Sequence, residues 1–167
     1  PFQLIYVGQI TENKGVVCLI DALLQLNDPM IGCWIVGGSQ HTLKLEEALK
    51  DRIDHSGSKT KIEFLGFKAD PRPYYAAADW HFAPSIYEEP LGNIVQEAKQ
   101  MKTPSVVSNN GGLPELIEHE KDGFILNDVN TKELTLTIKN LYKIETDWRS
   151  MGDAAKASLQ PKFSHQA

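Results

Sequence analysis

The chain is poor in several residue types that define common classes of protein. It has only two cysteines among 167 residues, Cys18 and Cys33. Both sit in apolar runs (VVCLI and GCWIV) and read as buried free thiols, not as a disulfide framework or a zinc site. The five histidines (His41, His55, His81, His119 and His165) are scattered without metal spacing and read as structural or surface residues. His119, between Glu118 and Glu120, reads as a solvated helix end. There is no basic excess: 17 Lys and Arg against 22 Asp and Glu leave a net charge of -5. That balance argues against a nucleic-acid partner, which calls for a basic patch or stripe. No apolar run is long enough to span a bilayer, and no signal peptide is visible. No GxGxxG opens a helix, and no acidic residue follows the second strand where it would meet a ribose, so a dinucleotide fold is disfavoured. The chain begins at Pro1, and a piece of a longer protein is the expectation.

What is present is a hydrophobic content of 41%, enough for one domain core. Short β-like runs alternate with helical stretches. Strands are expected at Gln3–Gly8, Gly32–Gly37, Lys61–Gly66, Trp80–Pro84, Ser105–Ser108 and Gly123–Leu126. Helices are expected at Lys14–Leu26, within Leu43–His55, at Asp70–Ala78, Pro90–Met101 and Pro114–His119, and from an Asn130 cap to about Tyr142. Glu133 is placed for a capping box with Asn130. The tail from Trp148 carries only a weak helical pattern. Alternation of this kind implies parallel β-α-β units. The fold class is therefore α/β, a Rossmann-like doubly wound parallel sheet of about six strands with helices on both faces. Ligands of such sheets bind beyond the carboxyl ends of the strands.

Three segments reach that edge. In SIYEEPLGNIVQEAKQ, Leu91, Ile94, Val95, Ala98 and Met101 form one apolar helical stripe, while Asn93 and Glu97 lie one turn apart on another face. Glu89 precedes the helix and Gly92 falls in its first turn. Free amides at a helix start favour an anion. Glu97 lies roughly 7–8 Å further along the axis at 1.5 Å per residue, about the reach from a diphosphate to a ribose. Taken alone, the two glutamates also fit ordinary helix charge. In VGQITENKGV, Lys14 could reach a phosphate at the strand end, or could be a surface lysine. In NNGGLPELI, the glycine pair and Pro114 form a turn and a cap.

Together the pieces VGQITENKGV, WIVGG, IEFLGF, PSIYEEPLGNIVQEA and PSVVSNNGGLPELIEHEKDGFIL resemble the C-terminal domain of GT-B retaining glycosyltransferases of family 4, the glycosyl transferases group 1. The most specific piece is the E-x7-E pattern from Glu89 to Glu97. The resemblance implies one half of a GT-B fold, with residues 1–167 a single donor-binding domain and the N-terminal acceptor domain absent from this chain. It implies a nucleotide-diphosphate sugar as substrate, no cofactor and no metal. Glu89 and Lys14 are the catalytic candidates: Glu89 on donor-sugar hydroxyls, Lys14 on the diphosphate. The donor would also meet Gly8 and Gln9, the backbone of Phe67 at the base, amides around Pro90, Leu91, Gly92, Asn93 and Ile94, and Glu97 at the ribose. Two positions depart from the family. Gln9 stands where an Arg is usual, and Pro90-Leu91 replaces Gly-Phe. Phe163-Ser164 resembles the start of a helix that returns to the N-terminal domain.

The expected function is the donor half of a transferase moving the sugar to a glycan, lipid or other acceptor, with the isolated chain inactive. Its partners would be the nucleotide sugar and the N-terminal domain, in the cytoplasm, with any peripheral membrane association made through the absent half. The alternatives are a GT-B nucleotide-sugar epimerase and a non-catalytic GT-like binding domain.

Overall fold

Six parallel strands pair in the order β3-β2-β1-β4-β5-β6. They are β1 (Phe2–Val7), β2 (Ile31–Val36), β3 (Lys61–Gly66), β4 (Trp80–Ala83), β5 (Ser105–Val107) and β6 (Gly123–Ile125). The computed structural model describes residues 1–38, 43–87, 93–143 and 148–159. Within them the helices are α1 (Val16–Leu26), α2 (Leu43–Ser56), α3 (Arg72–Ala77), α4 (Asn93–Gln100), α5 (Thr131–Lys143) and α6 (Trp148–Ala157).

The central strands are apolar on both faces because helices cover both. Along β1 the pleat sends Leu4 and Tyr6 into one core with Leu19, Ile20 and Leu23 of α1, Leu49 of α2, and Leu134 and Ile138 of α5. Ile5 points the other way, into a second core with Tyr75 of α3 and Ala98 of α4. Strand order reverses where β1 meets β4. Chain leaving β1 turns to one face and chain leaving β4 to the other, so a crevice opens between them at the carboxyl ends.

Three local structures differ from what the pattern suggests. The run Lys14–Leu26 is not one helix: Glu12–Lys14 form a 3₁₀ turn, and Gly15, at φ 76°, separates it from α1. A Cβ at Gly15 would collide with the carbonyl oxygen of Pro84, so only glycine fits. The segment after Gly112 is a 3₁₀ turn, Leu113–Leu116, and His119 lies beyond it, accepting the Ile125 N–H on Nδ1 at 3.0 Å. The weakly patterned tail forms the ten-residue α6, which buries Gly152 and Ala155. The Asn130 cap is present: its Oδ1 accepts the Glu133 N–H at 2.8 Å. Cys33 is buried and Cys18 half-buried; both are free.

Candidate functional site

Two adjoining clefts share Val7 and Gly8 at the end of β1. The larger, about 280 Å³, is lined by Gly8, Gln9, Gly37, Gly38, Phe67 and Lys68, among others. It is built from the loops after β1, β2 and β3. Gly37, at φ 132°, closes its floor: a Cβ there would strike the carbonyl oxygen of Gly8. The Tyr6 hydroxyl donates to the Gln9 carbonyl at 2.5 Å, which fixes the backbone of this loop where Gln9 lines the cleft. Phe67 is 78% exposed, an apolar surface at the mouth. The Lys68 ammonium stands 5.6 Å from the centre of the Tyr74 ring, a cation–π contact.

The smaller cleft, about 160 Å³, lies at the β1–β4 reversal. It is lined by Tyr6, Gly8, Lys14, Ser85, Asn93 and Ile94, with Val7 and Ala83. An ammonium, a hydroxyl and the first turn of α4 thus converge on one space, a combination suited to an anion. The Lys14 ammonium stands 5.1 Å from the centre of the Tyr87 ring.

Glu97 lies one turn along α4 from Asn93 and lines neither of these clefts. It is half-buried, and its Oε2 accepts the Tyr75 hydroxyl at 3.4 Å. Burial, and then the Glu97 charge, push the Tyr75 phenol well above its ordinary range, so Tyr75 stays a donor. Arg72 is held by a paired hydrogen bond to Asp70, at 2.7 and 3.0 Å. That bond and charge raise the Arg72 pKa, with a smaller contribution from Glu97. The same bond lowers Asp70.

Of the residues expected at the site, Gly8, Gln9, Lys14, Phe67, Asn93 and Ile94 are brought to the paired clefts. Glu89, Pro90, Leu91 and Gly92 lie outside the described residues, as do Phe163 and Ser164. Sequence reasoning missed Tyr6, Lys68, Tyr75, Ser85 and Tyr87. Lys68 adjoins a quoted motif and Ser85 and Tyr87 lie inside one, and that placement was a usable signal. Nothing local marked Tyr75, whose role depends on a helix elsewhere in the chain. Among the described residues, no group of three or more His, Cys, Asp and Glu could hold a metal ion. No described helix is long and apolar enough to cross a membrane.

A doubly wound sheet with glycine-lined clefts at its β1–β4 reversal defines a Rossmann-like α/β domain, and it matches GT-B glycosyltransferase structures. The chain belongs to the glycosyl transferases group 1 family, which it matches over residues 1–158. It is 31% identical over 166 residues to an uncharacterised glycosyltransferase of Methanocaldococcus jannaschii, covering 96% of this chain and 41% of that protein. It is similar to HepE of Anabaena, solved in complex with UDP and glucose, at 28% identity and a TM-score of 0.88, over 97% of this chain and 44% of HepE. The same protein has been solved with UDP-glucose. The fold is also that of the C-terminal domain of a group 1 glycosyl transferase, LpcC of Francisella tularensis. There the TM-score is 0.83 at 20% identity, over 97% of this chain and 86% of that one. The chain spans less than half the length of the curated relatives it matches.

Proposed function

We propose that this chain is the donor-binding half of a retaining glycosyltransferase, holding a nucleoside-diphosphate sugar across its two clefts. The observation that carries the reading is the convergence of Lys14, Ser85 and the first turn of α4 on one cleft that adjoins, at Gly8, a second cleft edged by Phe67. The diphosphate takes the smaller cleft, against Lys14 and the amides at Asn93 and Ile94. The base takes the larger, against the backbone of Phe67 and beside Gln9. Glu97 accepts the ribose hydroxyls. Glu89 meets the sugar, and the amides of Pro90, Leu91 and Gly92 complete the anion site. The binding of UDP and UDP-glucose by HepE supports this ligand class.

Chemically, the site's work is to stabilise the leaving diphosphate as the sugar–phosphate bond breaks. Charges and dipoles set in place beforehand do this without reorganisation. Lys14 supplies the cation and the α4 start supplies the amides, so no metal is called for. The acceptor, a glycan, lipid or other molecule, is held by an N-terminal domain in the cytoplasm, and transfer requires both halves. Calorimetric titration of the chain with UDP, ADP and GDP sugars tests the reading. One nucleotide class should bind, with a 1:1 stoichiometry and no dependence on added divalent cation. Failure of the whole panel would leave a scaffold domain in place of a donor site.

A further inference from the structure

Among the described residues that line the larger cleft, only Gln9 and Lys68 have polar side chains; the others are valines, glycines and Phe67. The two differ in what they can read on a ligand. The Gln9 amide both donates and accepts, and turning it over exchanges the two ends, so it suits an oxygen or an amine equally. The Lys68 ammonium donates and never accepts. Whatever else it touches, it can pair with an oxygen and not with an amino group. Lys68 is half-buried and follows Phe67 at the end of β3. Its ammonium stands 5.6 Å from the centre of the Tyr74 ring, and Tyr74 meets Trp34 of β2 edge-on with ring centres 6.3 Å apart. The lysine head is thus drawn to an aromatic pair rooted in the sheet beside the cleft. The bases of nucleotides differ in the group such a donor would meet. Uracil and guanine carry an exocyclic oxygen where cytosine and adenine carry an amine. An oxygen accepts from the ammonium, whereas an amine sets donor against donor and leaves both unpaired.

We propose that Lys68 is a specificity-determining residue of the larger cleft, selecting the oxo bases uracil or guanine over the amino bases cytosine or adenine. This rests on the donor-binding reading above, in which the base occupies that cleft. The test is calorimetry on the 167-residue chain and its Lys68→Met and Lys68→Glu variants, with UDP, CDP, GDP and ADP as ligands. The tightest ligand shows whether the base is a pyrimidine or a purine, and its pair, UDP with CDP or GDP with ADP, gives the affinity ratio. Ribose and diphosphate are common to each pair and cancel, so a change in charge near the phosphates moves both members alike. The parent should favour the oxo base roughly tenfold, the worth of one hydrogen bond to a charged group. Lys68→Met should bring the ratio towards one, and Lys68→Glu, which only accepts, should lower it at least as far. Thermal unfolding checks that each variant is folded; Lys68→Gln, which both donates and accepts, replaces the methionine variant should that one not fold. The proposal is overturned if CDP or ADP binds tightest, or if the parent does not discriminate within the pair. It is also overturned if Lys68→Met keeps the parent ratio, or if Lys68→Glu favours the oxo base more than Lys68→Met does. Each of these outcomes leaves the donor reading standing. A parent chain that binds none of the four nucleotides removes that reading and the proposal with it.

Discussion

The Tyr75 hydroxyl donates to Oε2 of Glu97 across 3.4 Å, tying α3 to α4. Tyr75 is fully buried and also accepts, on its carbonyl, the Thr103 hydroxyl at 2.6 Å. Glu97 therefore has its orientation set by a residue rooted in the core, where a surface glutamate would be free to turn.

Removing that hydroxyl should be felt twice. Tyr75→Phe is expected to lower stability by about 1 kcal/mol, the usual net value of one hydrogen bond. It should also weaken nucleotide binding, but less than Glu97→Gln, for which a loss of about 1–3 kcal/mol is expected. Chemical denaturation and calorimetry read the two effects. A Glu97→Gln affinity within about 0.5 kcal/mol of the parent would mean that Glu97 only decorates the helix. The loss should vanish for a 2′,3′-dideoxynucleotide.

Gln9→Arg should strengthen diphosphate binding. The Tyr6 hydroxyl holds the Gln9 carbonyl, not its side chain, so the exchange leaves the loop backbone anchored. The added guanidinium supplies a charge-assisted contact, and the gain should shrink as salt is added. Titrations at low and high ionic strength check this. An unchanged affinity at low salt would place the side chain away from the phosphates.

Lys99 and Asp122 form a buried ion pair at 3.0 Å, each side chain 6% exposed. Lys99 also donates to the Ser158 hydroxyl at 2.8 Å, and Asp122 accepts the Glu118 N–H at 2.8 Å. Lys99→Met would strand the carboxylate and should cost about 3–5 kcal/mol. Adding Asp122→Asn removes the stranded charge while keeping an acceptor for Glu118, and should recover most of the loss. Urea unfolding of the two variants gives the comparison; equal stabilities would mean that the charge is not the source.

His81 is fully buried, and burial pushes its pKa down to about 3. Its Nδ1 lies 2.8 Å from the Ser105 hydroxyl, and its Nε2 has no partner among the described residues. The folded state keeps this imidazole neutral, whereas the unfolded chain protonates it below about pH 6.5. The unfolded state thus binds more protons between those values, so stability contributed by the neutral ring falls as pH drops through that window. Unfolding free energies of the parent and His81→Gln, measured from pH 7 to 4, should differ in slope by up to about one proton, with the variant flatter. Parallel slopes would contradict it.

The strands and the order of elements were legible because apolar runs buried on both faces differ plainly from amphipathic helices. The polar edge was legible where a strand ended in Gly8 or a helix opened near Asn93. What escaped was decided by contacts distant in sequence. KGVV reads as continuous helix, yet Gly15 takes a left-handed conformation at a place where the Pro84 carbonyl leaves no room for a side chain. In RPYYAA either tyrosine could have faced solvent; α4 decides that Tyr75 turns inward. The α6 pattern was weak because Gly152, a poor helix former, occupies its interior. There it is buried, and tertiary packing outweighs propensity.

The β1–β4 pairing has a further consequence for how this chain can be handled. Leu4, Ile5 and Tyr6 lie beside Trp80, His81 and Phe82, partners separated by half the molecule. The crevice beside them has no counterpart in any short segment: a chain that has not closed that pairing has nowhere to hold a ligand. Occupancy is then thermodynamically coupled to completion of the fold. A ligand at 100 times its dissociation constant adds about 2.7 kcal/mol to the unfolding free energy by mass action. A shift in melting temperature thus doubles as a ligand screen and as a test of conformational integrity, and a compound that binds the proposed donor crevice would rescue a destabilised variant.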